Sequence, residues 1–351
     1  MNNNIIRVLV VDDSAYVRKV IKQMLSRSPF IEVVGTAHDG EEALEKLEQM
    51  TDQVDVITLD LLMPKIDGVE FLHRQMARHP IPVIIVSIAN EGGEMVLEAL
   101  DAGAVDFVHK PTALATEKMY ELAEELIDKV KAAANVPLNH LPLHAIVKPS
   151  HPVGPVQPLT HKSITDLIVI GISTGGPQAL AFLIPQLPSN FPIPIAIVLH
   201  MPIGYTKMYA ERLDQLSELK VVEAADGDVI CPGMVFIAPA GRHLTFKLQG
   251  ANVVARLAAQ PFDMPHRPSV DVMFQSAAEV YGNRVLGIVM TGMGSDGKQG
   301  AAWIKSNGGL IFTESEETCI VYGMPRSVVE SGLSDREIPL SDIAKTLLEI
   351  L

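Results

Sequence analysis

Short apolar runs alternating with amphipathic stretches dominate this chain, and no other feature restricts its fold so sharply. Strands are predicted at Ile6 to Val11, Ile31 to Thr36, Val54 to Leu59, Val83 to Ser87 and Ala104 to Val108. Helical stripes lie between and after them: Val17, Ile21, Met24 and Leu25 share one face, as do Leu122, Leu126, Ile127 and Val130. Such alternation implies a doubly wound parallel sheet, because the chain must cross over through a helix to re-enter the sheet in the same direction.

The pattern lapses where Pro137, Pro142, Pro149, Pro152, Pro155 and Pro158 arrive with few periodic apolar positions, which predicts a semi-extended linker. It divides the chain into a domain over 1–134, a linker over 135–164 and a domain over 165–351. The linker's His140, His144, His151 and His161 share no fixed spacing and are expected to be solvated rather than metal ligands. Beyond it, strands are predicted at Leu167 to Ile172, Ile193 to Leu199 and Lys220 to Glu223, with helices at Gln178 to Leu187 and Tyr205 to Leu216. His243 to Leu248 and Val253 to Leu257 predict an inserted β-hairpin, Ser269 an N-cap for a helix through Val280, and Arg284 to Met290 and Leu310 to Thr313 two more strands.

With 48% apolar and 20% charged residues among 351, the chain can fill two cores. Residues 1–134 carry 13 Lys+Arg against 23 Asp+Glu, leaving 15 against 19 for the rest, so no nucleic-acid partner is expected from either half. The opening residues lack the order of a signal peptide, and no apolar run approaches the ~20 residues a membrane helix requires. A cytoplasmic protein with no membrane insertion is expected. Cys231 and Cys319, far apart in sequence, read as packed thiols of a reduced compartment.

In the first domain Asp12 and Asp13 follow the first strand, Asp60 the third, Ser87 the fourth and Lys110 the fifth, all on the carboxyl edge where doubly wound sheets bind ligands. Converging carboxylates repel unless a hard cation holds them, and oxygen-rich sites suit Mg²⁺. Asp60 could then attack a phosphoryl donor while Lys110 and the Ser87 hydroxyl stabilise the transferred oxygens. Asp12 alone could equally be a helix cap.

In the second domain Gly171-Ile-Ser173-Thr-Gly175 fits the pattern of a nucleophile elbow, although a glycine-rich strand-to-helix loop could also cradle a phosphate. A serine hydroxyl needs an imidazole to take its proton and a carboxylate to orient that imidazole. His200 ends one predicted strand and Asp296 follows another, so all three are expected on one carboxyl edge. His243 and His266 compete for the base role, but each reads as a surface or capping residue. The chain order Ser, His, Asp differs from the Ser, Asp, His of α/β-hydrolases.

Residues 5 to about 130, with Met63-Pro64 and Lys110-Pro111, resemble the receiver domain of two-component response regulators. Residues 165–345 resemble the catalytic domain of the chemotaxis protein-glutamate methylesterases, in which that domain follows a receiver. The shared motifs are Gly171 to Gly176, His200-Met-Pro202, Ile237-Ala-Pro239 with His243-Leu244, His266 to Asp271, Thr291 to Gly297 and Tyr322-Gly-Met-Pro325. The resemblance implies a flavodoxin-like (βα)5 receiver and a three-layer α/β/α methylesterase domain with the inserted hairpin. It assigns Mg²⁺ to Asp12, Asp13, Asp60 and the Leu62 carbonyl, phosphorylation to Asp60, and an aromatic switch position to Phe107. It makes Ser173 the nucleophile, His200 the base and Asp296 its orienting carboxylate, with the Met293 N–H in the oxyanion site and Thr174 beside the nucleophile. The implied reaction is hydrolysis of glutamate methyl esters on chemoreceptors, with deamidation of particular glutamines, no cofactor for that step, and a chemotaxis histidine kinase as phosphodonor. Two other readings are a response regulator with a DNA-binding output, which would call for a small basic helical module, and a nucleotide site in the glycine loops.

Overall fold

In a computed structural model, which describes residues 5–50, 53–87, 93–110, 116–136, 165–261 and 263–350, the chain forms two compact units, residues 1–145 and 146–351. Positions 137–164, with the predicted linker's prolines and histidines, lie outside the described residues.

Unit 1 runs β1 (Ile6–Val11), α1 (Ala15–Leu25), β2 (Ile31–Ala37), α2 (Gly40–Gln49), β3 (Val56–Leu59), α3 (Gly68–Arg78), β4 (Val83–Ser87), α4 (Gly93–Asp101), β5 (Asp106–His109) and α5 (Thr116–Ala133). The strands pair in parallel in the order β2-β1-β3-β4-β5. That order reverses direction beside β1, opening a crevice at the carboxyl ends of β1 and β3. Helix starts follow local chemistry: Ser14, Asp39 and Asp67 each accept a backbone N–H of the turn they precede. All four residues of β3 are buried, as a central strand covered on both faces requires.

Unit 2 contains β6 (Leu167–Ile172), α6 (Gly176–Leu183), β7 (Ile195–Leu199), α7 (Tyr205–Leu216), β8 (Lys220–Glu223), β9 (Met234–Ile237), β10 (His243–Gln249), β11 (Asn252–Ala258), α8 (Val270–Tyr281), β12 (Val285–Val289), α9 (Lys298–Ser306), β13 (Leu310–Glu314), α10 (Met324–Val329), β14 (Arg336–Ile338) and α11 (Leu340–Glu349). Its parallel sheet has the order β14-β13-β12-β6-β7-β9-β8, and β10 and β11 form the antiparallel hairpin that the sequence predicts. β9, β14 and α10, at four, three and six residues, are too short to carry a period, while α9 and α11, at nine and ten, lie outside the sequence expectations although they are longer. The helix expected through Leu187 stops at Leu183 and tightens into a 3₁₀ turn over Ile184–Gln186, because Pro185 has no N–H to continue the α ladder.

The central strands β6, β7 and β12 are wholly buried, each large aliphatic side chain contributing roughly 1.5–3 kcal/mol through removal from water. Val270, the first residue of α8, is pressed against this core. A Cβ on Gly171 would approach its Cγ1 to 2.2 Å, and one on Gly297, where φ is 99°, to 3.0 Å. Small residues at both positions therefore let the start of α8 reach the carboxyl edge of the sheet.

Candidate active site and acidic cluster

β6 lies between β12 and β7, so Ser173, His200 and Asp296 leave three adjacent strands at the same edge. Backbone bonds tie these exits together: Ser173 N donates to Thr291 O at 3.0 Å, and His200 N to Ile172 O at 3.1 Å. The left-handed backbone conformation falls on Gly175 (φ 78°), not on Ser173, so the serine is not held in the strained turn of a nucleophile elbow.

Asp296 makes the most elaborate set of bonds at this edge. His200 Nε2 lies 2.9 Å from its Oδ2, which also accepts the Val270 N–H at 2.8 Å, while Oδ1 accepts from Ser269 Oγ and the Asp271 N–H, both at 2.9 Å. Burial opposes its charge, but bonding to His200, the charge of that imidazole and the two amides of α8 outweigh burial and hold the carboxyl at about 2. It is thus an anion at the positive end of a helix. Ser269 does not cap α8 with its own side chain, contrary to the sequence expectation; its hydroxyl is taken by Asp296, which caps α8 from a distant part of the chain.

Asp271 returns the favour. Its Oδ1 accepts the N–H groups of Gly297 at 2.9 Å and Gly300 at 2.7 Å, at the start of α9. Burial pushes this carboxyl up to about 6, against the Gly300 amide and with the help of the nearby Asp296 charge.

The other two histidines depart from expectation in different ways. His243 is fully buried rather than on the surface, its Nδ1 accepting from Ser269 N at 3.2 Å and its Nε2 facing Pro261 O at 3.1 Å, so it braces the segment leading to α8. His266 is exposed, yet its ring stacks on that of His200, with centroids 4.2 Å apart and planes 23° from parallel. With Nε2 engaged by Asp296, the Nδ1 of His200 is buried and has no hydrogen-bond partner among the described residues. The Ser173 hydroxyl and the Met293 N–H likewise make no hydrogen bond to described residues. Thr174 is buried, and its carbonyl accepts from Thr291 Oγ1 at 2.9 Å.

In unit 1, Asp12, Asp13 and Asp60 each place a carboxylate oxygen within 4.8 Å of the others. Lys110 Nζ reaches Asp12 Oδ2 at 2.7 Å and Asp60 Oδ2 at 2.6 Å. Burial raises both Asp12 and Asp60 above the ordinary carboxylate range, and the lysine offsets this only in part. One ammonium among three carboxylates leaves an excess of hard oxygen donors, which fits a divalent cation such as Mg²⁺. Ser87 is buried with its hydroxyl unpartnered among the described residues, and its carbonyl accepts the Lys110 N–H at 2.8 Å, so the two stand side by side. Leu62 lies two residues beyond Asp60, its N–H 3.4 Å from Asp60 Oδ1. Phe107 is buried, edge-on to His109 with centroids 6.1 Å apart.

Residues 168–347 match the family model described as CheB methylesterase, and residues 8–122 that of the response regulator receiver domain. The chain belongs to the CheB methylesterase family. A protein-glutamate methylesterase/protein-glutamine glutaminase of Myxococcus xanthus is 48% identical over 97% of both chains, and one of Thermotoga maritima 42% identical over the full length of both. The crystal structure of the Thermotoga maritima CheB methylesterase catalytic domain is 45% identical, covering 53% of this chain and 99% of that one at a TM-score of 0.52. The CheB match of the C-terminal half removes the DNA-binding output considered from sequence. Among the described residues no helix is long and apolar enough to cross a membrane. In this CheB-family chain the sequence reading placed Asp271 in a shared motif without giving it a role and did not single out Glu314, because their contacts join segments that no local pattern records.

Proposed function

We propose that this chain hydrolyses glutamate methyl esters on chemoreceptors, and deamidates particular receptor glutamines, under the control of a phosphorylated receiver. Residues 1–134 serve as the receiver, 135–164 as the connection and 165–351 as the catalytic domain. The observation that carries the reading is the His200–Asp296 bond at 2.9 Å, standing at the strand end next to Ser173.

Asp296 keeps its charge and fixes the imidazole with Nε2–H toward the carboxylate, which leaves Nδ1 as the basic nitrogen. Nδ1 takes the Ser173 proton as Oγ attacks the side-chain carbonyl of the ester. The Met293 N–H donates to the resulting oxyanion. Collapse breaks the C–O bond, the imidazolium gives its proton to the leaving methoxide, and methanol departs from an acyl-serine. Water, deprotonated by the same imidazole, then releases the glutamate carboxylate and restores the serine. A glutamine side chain follows the same course with ammonia as the leaving group, so one serine and one oxyanion site serve both substrates.

In the receiver, Asp60 is the phosphorylated carboxylate, and Lys110 and Ser87 hold the oxygens of the transferred group, with Phe107 as the switch aromatic. Mg²⁺ held by Asp12, Asp13, Asp60 and the Leu62 carbonyl would supply charge neutralisation for the incoming phosphoryl group. The chemotaxis histidine kinase would be the donor, and the setting cytoplasmic. The test is methanol release from methylated receptor membranes with and without a small phosphodonor plus Mg²⁺. Release is expected and should rise with the phosphodonor; no release under either condition contradicts the reading.

A further inference from the structure

Glu314 ends β13 with no exposed surface at all. Its Oε2 accepts the N–H of Thr291 at 2.9 Å and its Oε1 the hydroxyl of Thr318 at 3.0 Å, and that hydroxyl in turn accepts the N–H of Leu340. Among the described residues Thr291, Thr318 and Cys319 are the groups that bear on the carboxyl, and none is a cation. Burying an acid without a counter-charge is costly, so a core keeps one only where its hydrogen bonds organise something.

What it organises is the segment after β12. Thr291 is buried and spans three connections: its carbonyl takes the Ser173 N–H, its hydroxyl reaches the Thr174 carbonyl, and the same oxygen accepts the Val321 N–H at 3.0 Å. Gly292 continues the lacing, donating to Val321 O and accepting from Gly323 and Met324 N–H. The next residue is Met293. Among the described residues the Thr291 N–H is held by Glu314 alone.

We propose that Glu314 is a positioning residue for the esterase reaction, holding the Thr291 backbone so that Ser173 on one side and the Met293 N–H on the other keep their separation. The assignment rests on the roles given to Ser173 and Met293 under Proposed function. Glu314 touches no substrate; it acts through one amide. Both its protonated and ionised forms can accept the Thr291 N–H, and a glutamine can do so too while its NH₂ donates to the Thr318 hydroxyl. An aspartate, one methylene shorter, cannot reach Thr291 from the same Cα.

The experiment measures kcat and KM for methanol release from methylated receptor membranes, using the full-length chain and its variants Glu314→Gln, Glu314→Asp and Ser173→Ala, with thermal unfolding of each. Glu314→Gln is expected within about 3-fold of wild-type kcat, and Glu314→Asp about 10-fold or more below it, with KM changed less than about 2-fold in both. Destabilisation alone would lower the active fraction only as far as the unfolding midpoint accounts for, so a kcat loss in Glu314→Asp that remains where both variants are fully folded is the mark of positioning. Glu314→Asp turning over at the wild-type rate, or aspartate and glutamine losing kcat equally, overturns the assignment while Ser173→Ala stays inactive. Full activity in Ser173→Ala instead overturns the reading on which the assignment rests.

Discussion

Asp271 and Asp296 hold each other's helices: Asp296 Oδ1 accepts the Asp271 N–H at 2.9 Å, and Asp271 Oδ1 accepts the N–H of Gly297, the residue after Asp296, at 2.9 Å. Each acid lies in or beside the first turn of one helix and neutralises the unpaired amides of the other. The carboxylate bonded to His200 is therefore part of the fold's own capping, which couples that bond to the packing of α8 on α9.

Replacing Asp271 tests that coupling. Asp271→Ala leaves the Gly297 and Gly300 amides unpaired and is predicted to cost about 1–2 kcal/mol of stability, the usual worth of a cap. kcat should fall with it, because the Asp296 loop loses its anchor. Asp271→Asn keeps an acceptor oxygen and should recover most of both. Urea unfolding and methanol release check the pair; an alanine variant with unchanged turnover contradicts the coupling.

Ser269 supplies one of four hydrogen bonds to Asp296. Its loss in Ser269→Ala leaves the other three and is predicted to lower kcat by about 10-fold or less, well short of removing the carboxylate itself. A loss as deep as that of Asp296→Asn would mean that the hydroxyl has a further role.

The buried acid beneath the site gives a pH dependence whose sign is fixed. Burial pushes Glu314 from 4.5 up to about 7. A carboxyl raised on folding contributes stability that is present below its unfolded value and is lost as pH rises through its folded one, here between about 4.5 and about 7. Glu314→Gln has no such proton, so relative to wild type it should gain on the order of 1–3 kcal/mol between about pH 5 and about pH 8. Urea unfolding at both pH values decides it; a difference that stays constant contradicts the prediction.

For the receiver, Lys110 is the single cation paired with Asp12 and Asp60 among the described residues. Lys110→Ala and Asp60→Asn are predicted to leave basal methanol release unchanged and to abolish its rise on adding phosphodonor and Mg²⁺. Chelating Mg²⁺ should do the same to wild type. Stimulation that persists in Asp60→Asn contradicts the assignment of that aspartate.

The alternation of apolar runs was enough to read two parallel sheets, and the strand-end positions of Asp12, Asp60, Ser173, His200 and Asp296 followed from it, because a parallel sheet puts every strand's carboxyl end on one edge. Short edge pieces such as β14 escaped, since three residues of which only Ile338 is buried carry no period. So did several contacts made across the chain: the capping of α8 by Asp296, the burial of His243, the stacking of His266 on His200 and the anchoring of Thr291 by Glu314. In sequence, Ser269 looked like a cap because Ser before an apolar helix usually is one, and only the arrival of a stronger acceptor from 27 residues away redirects its hydroxyl.

Methanol release from methylated receptor membranes by wild type beside Ser173→Ala, His200→Ala and Asp296→Asn is the most direct measurement. Release is predicted to fall to the background of the membranes alone for Ser173→Ala and His200→Ala, and by roughly 10³ to 10⁴-fold for Asp296→Asn, with all three variants folded. Turnover that survives the loss of the serine hydroxyl and of the imidazole would contradict a nucleophilic role for Ser173.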